Sequence, residues 1–326
     1  MTIRLLLTGG TGFFGRALLR RLQQHNSLDD RGFQVETLSR DPEKFSQQFP
    51  EISSFSWLRI VRGDILDRGS FDKLSTPMWV IHAAADSTDP SALTPRSRYD
   101  QIVDGTRHVL DFATASASKR FLFVSSGGVY GSQPPNLEQI PEEFLGGPDP
   151  LHLGSTYGIA KRSAEHLCAI AGAQTEMSVV IARCFAFVGQ DLPLNVHFAI
   201  GNFIRDALWA DEITVRGDGT ATRSYMDQQD LADWLMALVQ RGQSGRAYNV
   251  GSDVGISMLA LAELVATVVA PEKPVRVLGE SMNSGGGSRY IPSIARAREE
   301  LGLEITVSLS DAIRRAAEAA RVRPRT

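Results

Sequence analysis

The feature that most constrains this chain is a glycine turn close to its start. Leu5-Leu6-Leu7-Thr8 runs directly into Gly9-Gly10-Thr11-Gly12-Phe13-Phe14-Gly15, and a helical pattern follows over Phe14–Gln24. The spacing Gly9-x-x-Gly12-x-x-Gly15 answers three needs. One glycine adopts backbone angles that other residues resist. A second lets the backbone approach a pyrophosphate, and a third lets helix and strand pack closely. The helix N-terminus then offers free N–H groups and the positive end of its dipole to the phosphates. A turn of this kind, after the first strand and opening a helix, points to a bound dinucleotide. Its expected contacts are Gly9, Gly12, Phe13, Phe14 and Gly15.

The first half of the chain continues in the same style. Strands are expected at Ile3–Thr8, Phe33–Leu38, Leu58–Arg62, Trp79–Ala83, Phe121–Ser125 and Ser178–Arg183, with helices near Gly69–Lys73, Tyr99–Ser116 and Gly158–Gly172. Strands rich in Val, Ile and Leu, without polar alternation, read as buried on both faces. Alternating with helices, they predict an α/β fold built on a doubly wound parallel sheet. After Arg183 the pattern loosens. Pro193, Gly217, Gly219 and Gly285–Gly287 mark loops, the last of them read as a mobile loop near a ligand. A strand is expected at Ile213–Val215 and another at Ala247–Gly251, with helices at Asp227–Arg241, Met258–Val269 and Ser308–Arg321.

The second strand indicates which dinucleotide is bound. NAD binders usually end it in a carboxylate that holds the ribose hydroxyls. Here Val35-Glu36-Thr37-Leu38 ends in Ser39-Arg40. A hydroxyl and a guanidinium suit a 2′-phosphate, so the reading leans to NADP and leaves NAD open. Asp64, after the third strand, is placed beside the adenine amino group.

Tyr157-Gly158-Ile159-Ala160-Lys161 opens a helix. The i, i+4 spacing puts both side chains on one face. A phenol of pKa about 10 is a poor base at neutral pH. The nearby Lys161 ammonium and an oxidised nicotinamide would favour the phenolate. Tyr157 could then exchange a proton with a sugar hydroxyl while hydride moves to or from the cofactor. Lys161 could also hydrogen-bond the nicotinamide ribose.

These stretches, together with Gly63-Asp64, His82-Ala83-Ala84-Ala85, Ser125-Ser126-Gly127-Gly128-Val129-Tyr130-Gly131, Arg183, Arg223-Ser224-Tyr225 and Asn249-Val250-Gly251, resemble the extended short-chain dehydrogenase/reductases of the nucleotide-sugar epimerase/dehydratase family. The likeness covers nearly the whole chain. It implies a Rossmann domain for the cofactor, residues 1–182 with about 225–252. It also implies a smaller mixed α/β domain for a nucleoside-diphosphate sugar, about 183–224 with 253–326. Ile65 and Ala83–Ala85 join the implied cofactor contacts. Ser126 stands where the family keeps a catalytic Ser or Thr, with Ser125 as its competitor. Arg223 matches a phosphate-binding arginine. Arg289 is a second diphosphate candidate, since guanidinium groups bind diphosphates bidentately, and Asn202 could open a helix onto the nucleotide.

The resemblance also narrows the chemistry. The family's 4,6-dehydratases carry an Asp-Glu pair after the catalytic Ser or Thr, and elimination of water needs such an acid and base. Here the pair is Gly127-Gly128, and the Ser/Thr-Glu pattern of the decarboxylases is missing too. Epimerisation at C4 through a transient keto-sugar is therefore expected, with NADPH-dependent reduction of a keto-sugar as the alternative. A cofactor-binding protein without activity is disfavoured, because Tyr157 and Lys161 are both present. Two family asparagines are replaced, by Ile102 and Ala186, with Asn195 and His197 as candidate substitutes in the second case. By analogy a homodimer is expected, through the helices that carry Val109, Leu110, Ala113, Ala164 and Leu167.

Composition sets the outer bounds. With 326 residues, 43% hydrophobic and 22% charged, the chain has ample material for a globular core. Its net charge of −3 argues against nucleic acid or an anionic membrane as a partner. No apolar run approaches the ~20 residues of a membrane span. No secretory signal is read at the start, so a cytoplasmic location is expected. Cys168 and Cys184 are read as buried thiols, with no Cys/His spacing suited to a metal.

Overall fold

A computed structural model describes residues 2–26, 32–85, 93–279 and 288–322. Strands β1 (Ile3–Thr8), β2 (Phe33–Ser39), β3 (Leu58–Arg62), β4 (Trp79–His82), β5 (Arg120–Ser126) and β6 (Ser178–Cys184) form one parallel sheet with a seventh strand, Ala247–Val250. From edge to edge the order is 247–250, β6, β5, β4, β1, β2, β3. The expected Rossmann-type sheet is present. Its strand order reverses between β1 and β4, where this architecture opens a ligand crevice at the C-terminal ends of the strands.

The strands are apolar on both faces for a visible reason. Leu5 and Leu7 point to one side, into a core shared with helix α1 (Phe13–Asn26) and helix Gln228–Arg241. Leu6 points to the other, into a core shared with helices Pro95–Ala115 and Thr156–Gln174. A side-chain period of two along a strand buried on both sides makes every position apolar.

A third core lies beyond the sheet. Helices Ala199–Trp209, Met258–Val269 and Leu309–Val322 gather there around Ile213 and Val215. Ile200, Phe203, Ile204 and Ala207 repeat at helical spacing on the first of these. Three very short strands, Ile256–Ser257, Thr222–Arg223 and Arg289–Tyr290, cross between this layer and the crevice. Ile294, Ala297, Leu301 and Leu303 pack in the core of the main sheet, with Val250 and Trp234.

Several local expectations are corrected. Residues 68–73 form a 3-10 turn, Arg68–Lys73, whose Gly69 N–H donates to the Asp67 carboxylate. Asn202 does not open its helix, which begins at Ala199. The short helices Pro42–Gln48, Pro50–Ser53 and Ala295–Leu301 were not expected. The Gly285–Gly287 loop lies outside the described residues. Val109, Leu110, Ala113 and Ala164 are buried within the monomer core, and Leu167 packs against it. The four buried residues serve the monomer core, while Leu167 keeps part of its surface exposed.

His82 ties the sheet to the helix behind it. Thr106 Oγ1 donates to the Ile102 carbonyl at 2.6 Å, so it must accept from His82 Nε2 at 3.0 Å. Nδ1 then accepts from Thr8 Oγ1 at 2.6 Å. This chain of bonds occupies the region of the replaced family asparagine. Burial, helped by the Lys161 charge, pushes the His82 pKa down to about 3. An unfolded histidine titrates near about 6.5. The unfolded state thus binds the extra proton in that interval, and stability falls as pH drops from about 6.5 toward 3, by at most about 1.4 kcal/mol per pH unit. His82→Gln should flatten the decline of the urea midpoint between about pH 6.5 and 4.5. An unchanged decline would assign the acid sensitivity to other groups.

Candidate active site

The glycine turn forms one wall of a cavity of about 860 Å³ at the switch point. Gly9 has φ +76°, and a Cβ there would lie 2.7 Å from the Ala83 carbonyl and the Ala84 nitrogen. Only glycine lets the ends of β1 and β4 meet so closely. A Cβ on Gly15 would collide with the Gly9 carbonyl and Gly10, so this glycine seats the helix on the turn. Gly9, Gly12, Phe13, Phe14, Ala83 and Ala85 line the cavity, and α1 carries no acidic residue in its first turn. This cradle fits a pyrophosphate.

The other expected cofactor contacts lie outside the cavity lining. Ser39 is buried, and its Oγ accepts from the Asp41 N–H at 3.2 Å. Arg40 is exposed, and its carbonyl accepts from Arg62 at 2.9 Å. Asp64 caps a turn by accepting from the Leu66 N–H at 3.0 Å. Ile65 is a packing residue, pressed against Gly105.

Ser126 and Tyr157 line the same cavity. Ser126 ends β5 and accepts from the Gly128 N–H at 3.1 Å. Tyr157 sits on the first turn of Thr156–Gln174. Burial pushes its pKa up to about 12, opposed by a hydrogen bond with Ser126 and by the Arg98 guanidinium. Lys161 stands differently from the expectation. Its Nζ donates to the Val124 carbonyl at 2.7 Å and lies 6.0 Å from the Tyr157 ring centroid. Burial lowers its pKa to about 8. A smaller pull toward the Tyr157 phenolate comes from the Arg98 guanidinium, on the facing helix and itself buried.

Ser125 also lines the cavity, but its hydroxyl donates to Glu165 Oε1 at 2.6 Å. Glu165 in turn pairs with Arg183 at 2.7 Å, and Arg183 donates to the Tyr130 hydroxyl at 3.0 Å. Tyr130 donates to Asn249 Oδ1 at 2.8 Å. Arg183, Tyr130 and Asn249 are therefore structural, a buried network joining β5, β6 and the seventh strand.

Arg223 lines the cavity, held by bonds to Ser288 O at 2.7 Å and Ser288 Oγ at 3.0 Å. Arg289 does not line it, and its buried Nε has no hydrogen-bond partner. Neither Asn202 nor Asn195 reaches the lining; Asn202 Oδ1 accepts from Arg205 at 3.0 Å. His197 does reach it, with its ring 4.3 Å from that of Phe198. Sequence reasoning missed Arg98, Phe185 and Tyr290, all of which line the cavity. Strand alternation held the signal for Tyr290: if Tyr290 faces the site, its neighbour Arg289 faces away. Nothing local to Arg98 marked it. Among the described residues that line the cavity there is no Asp or Glu, and no cluster of three or more His, Cys, Asp or Glu suited to a metal exists elsewhere among them. Both cysteines are free and buried. No helix among the described residues is long and apolar enough to cross a membrane.

Comparison with known proteins supports one grouping. The model of a family described as the NAD dependent epimerase/dehydratase family matches residues 5–251. UDP-glucuronic acid decarboxylase 6 of Arabidopsis thaliana is 28% identical over 317 residues, covering 95% of this chain and 87% of its own. The solved UDP-glucose 4-epimerase of Thermotoga maritima superposes with a TM-score of 0.83 at 21% identity, covering 98% of this chain and 99% of its own. RMD of Pseudomonas aeruginosa, solved with NADPH, superposes at 0.78 with 25% identity, covering 98% of this chain and all of its own.

Proposed function

The chain belongs to the NAD dependent epimerase/dehydratase family, and on that premise we propose that it is a nucleotide-sugar 4-epimerase acting through a transient keto-sugar. The observation that carries this reading is the composition of the cavity. Tyr157 and Ser126 meet there, and no carboxylate stands among its described lining residues. Dehydration or decarboxylation would call for an additional acid or base, and Gly127-Gly128 supplies none. Exchange of one hydroxyl proton needs only a phenol and a serine.

In this reading Gly9, Gly12, Phe13, Phe14, Ala83 and Ala85 hold the nicotinamide dinucleotide. Arg40 and Ser39, at the end of β2, favour a 2′-phosphate and hence NADP. The bound nicotinamide supplies a hydride acceptor and donor for the sugar C4. Tyr157 takes the C4 hydroxyl proton and later returns it, and Ser126 hydrogen-bonds the same oxygen. Arg98 offsets the rise in the Tyr157 pKa that burial causes. Lys161, buried outside the cavity lining and anchored on Val124, backs the site. Arg223 binds the diphosphate of a nucleoside-diphosphate sugar. The described residues within 2–182, 225–252 and 294–303 form the cofactor part, and the third core carries the sugar part. A homodimer belongs to the same proposal, through helix surfaces other than the buried Val109, Leu110, Ala113 and Ala164.

An epimerase reuses its cofactor, so the test is what the purified protein carries. Denaturation should release nearly stoichiometric oxidised nicotinamide dinucleotide, and its mass identifies NAD or NADP. An empty protein that binds added NADPH reversibly would replace this reading with the keto-sugar reductase.

A further inference from the structure

Gly127 lies beside Ser126, and the space a side chain there would fill is taken. A Cβ on Gly127 would meet the Tyr290 hydroxyl at 2.5 Å and Phe185 Cζ at 2.7 Å. Tyr290 is fixed in that position from three sides. Its ring packs on Phe185 with centroids 4.6 Å apart. In the parallel ladder its register partner is Arg223, so the two side chains enter the cavity together. The next residue is pinned to the Rossmann part: Ile291 N donates to Gln133 Oε1 at 2.9 Å, and Ile140 N donates to the Ile291 carbonyl at 2.8 Å.

Ser126, Tyr157 and Tyr290 line the same cavity, with the Tyr290 hydroxyl against Gly127, the residue next to Ser126, and Ser126 Oγ and the Tyr157 ring both against Gly128. A serine hydroxyl has one proton to donate and two lone pairs to accept with. The Gly128 N–H takes one lone pair. Burial drives the Tyr290 phenol well above the usual range, so it keeps its proton and serves as a standing donor.

We propose that Tyr290 is a positioning residue for Ser126: its hydroxyl takes the volume of the missing side chain at 127 and donates to Ser126 Oγ, leaving the serine's own proton directed at Tyr157 and the sugar oxygen. Glycine at 127 is then the condition for Tyr290 to be there. An acidic side chain at that position and this phenol exclude one another, which gives the Gly127-Gly128 pair a positive role. This rests on the proposed chemistry of Ser126 and Tyr157 and adds the element that sets their polarity.

Tyr290→Phe keeps the ring and removes only the hydroxyl. The expected result is a kcat about tenfold lower, the effect of one hydrogen bond at the reacting centre, with KM within about twofold and nicotinamide content unchanged. In a Ser126→Ala background the same substitution should add less than about twofold, because Tyr290 acts through Ser126. Costs that multiply, or a raised KM at unchanged kcat, overturn the proposal. A second readout needs no turnover. In protein labelled with 3-fluorotyrosine, Tyr290→Phe should move the Tyr157 fluorine resonance when Ser126 is present and leave it in place in Ser126→Ala. A Tyr157 resonance that does not respond to Tyr290→Phe overturns the positioning role. A responsive resonance in a protein that turns over no nucleotide sugar overturns only the reaction assigned above.

Discussion

Tyr157→Phe is expected to lower kcat by roughly 10²–10⁴-fold, the range of a general acid–base group, while the nicotinamide content of the purified protein stays the same. Only the hydroxyl is lost. The ring packs among the apolar residues behind the sheet, so phenylalanine keeps the packing and removes the proton carrier. The pH dependence should separate this from a structural effect. Burial pushes the Tyr157 pKa up to about 12, against the pull of Ser126 and Arg98. At neutral pH the phenol form dominates, and the wild-type rate of proton abstraction should climb with pH as phenolate accumulates. That rising limb should be missing in the variant. A Tyr157→Phe protein with wild-type kcat would remove Tyr157 from the chemistry.

The largest effect on stability is expected at Glu165. Its carboxylate accepts from Ser125 at 2.6 Å and from Arg183 at 2.7 Å, 3.1 Å and 3.2 Å. Both side chains of the ion pair are largely buried, at 8% and 18% exposure. Removing one member strands the other charge, at a cost of about 3–5 kcal/mol. Glu165→Ala should therefore shift the urea midpoint strongly. The Arg68–Asp111 pair is the control. Its side chains are 62% and 52% exposed, and such pairs contribute about 0–1 kcal/mol, so Asp111→Ala should barely register. Glu165→Ala combined with Arg183→Met should recover part of the loss, since no unpaired guanidinium is left behind. Equal effects at Glu165 and Asp111 would contradict the structural role given to this network.

Much of the molecule was legible before any coordinates. The glycine turn, the six strands up to Ser178–Cys184 and the long helices were readable because each rests on local rules. A glycine with φ +76° and an apolar run between two helices leave marks in adjacent residues. Tyr157 was readable from its spacing to Lys161, Ser126 and Arg223 through resemblance, and all three line one cavity. Less legible were segments whose form comes from distant partners. Arg289-Tyr290 is a strand of two residues, too short for any periodicity, and it exists only because Thr222–Arg223 lies beside it. Pro42–Gln48 and Pro50–Ser53 are helices of seven and four residues, too short to show a helical period in the sequence.

The sequence by itself determined the sheet, the dinucleotide turn and the types of residue available for chemistry, because these follow from periodicity, backbone freedom and side-chain identity. It did not determine direction. Where Lys161 places its ammonium, whether Arg289 or Tyr290 faces the cavity, and what fills the space at Gly127 were settled by elements far apart in the chain. Lys161 is one helical turn from Tyr157, yet its ammonium is bound to the Val124 carbonyl, while Arg98 arrives on another helix. Those choices belong to the tertiary structure, because a buried charge takes the orientation in which its hydrogen bonds are satisfied, and the partners that satisfy it are assembled only by the fold.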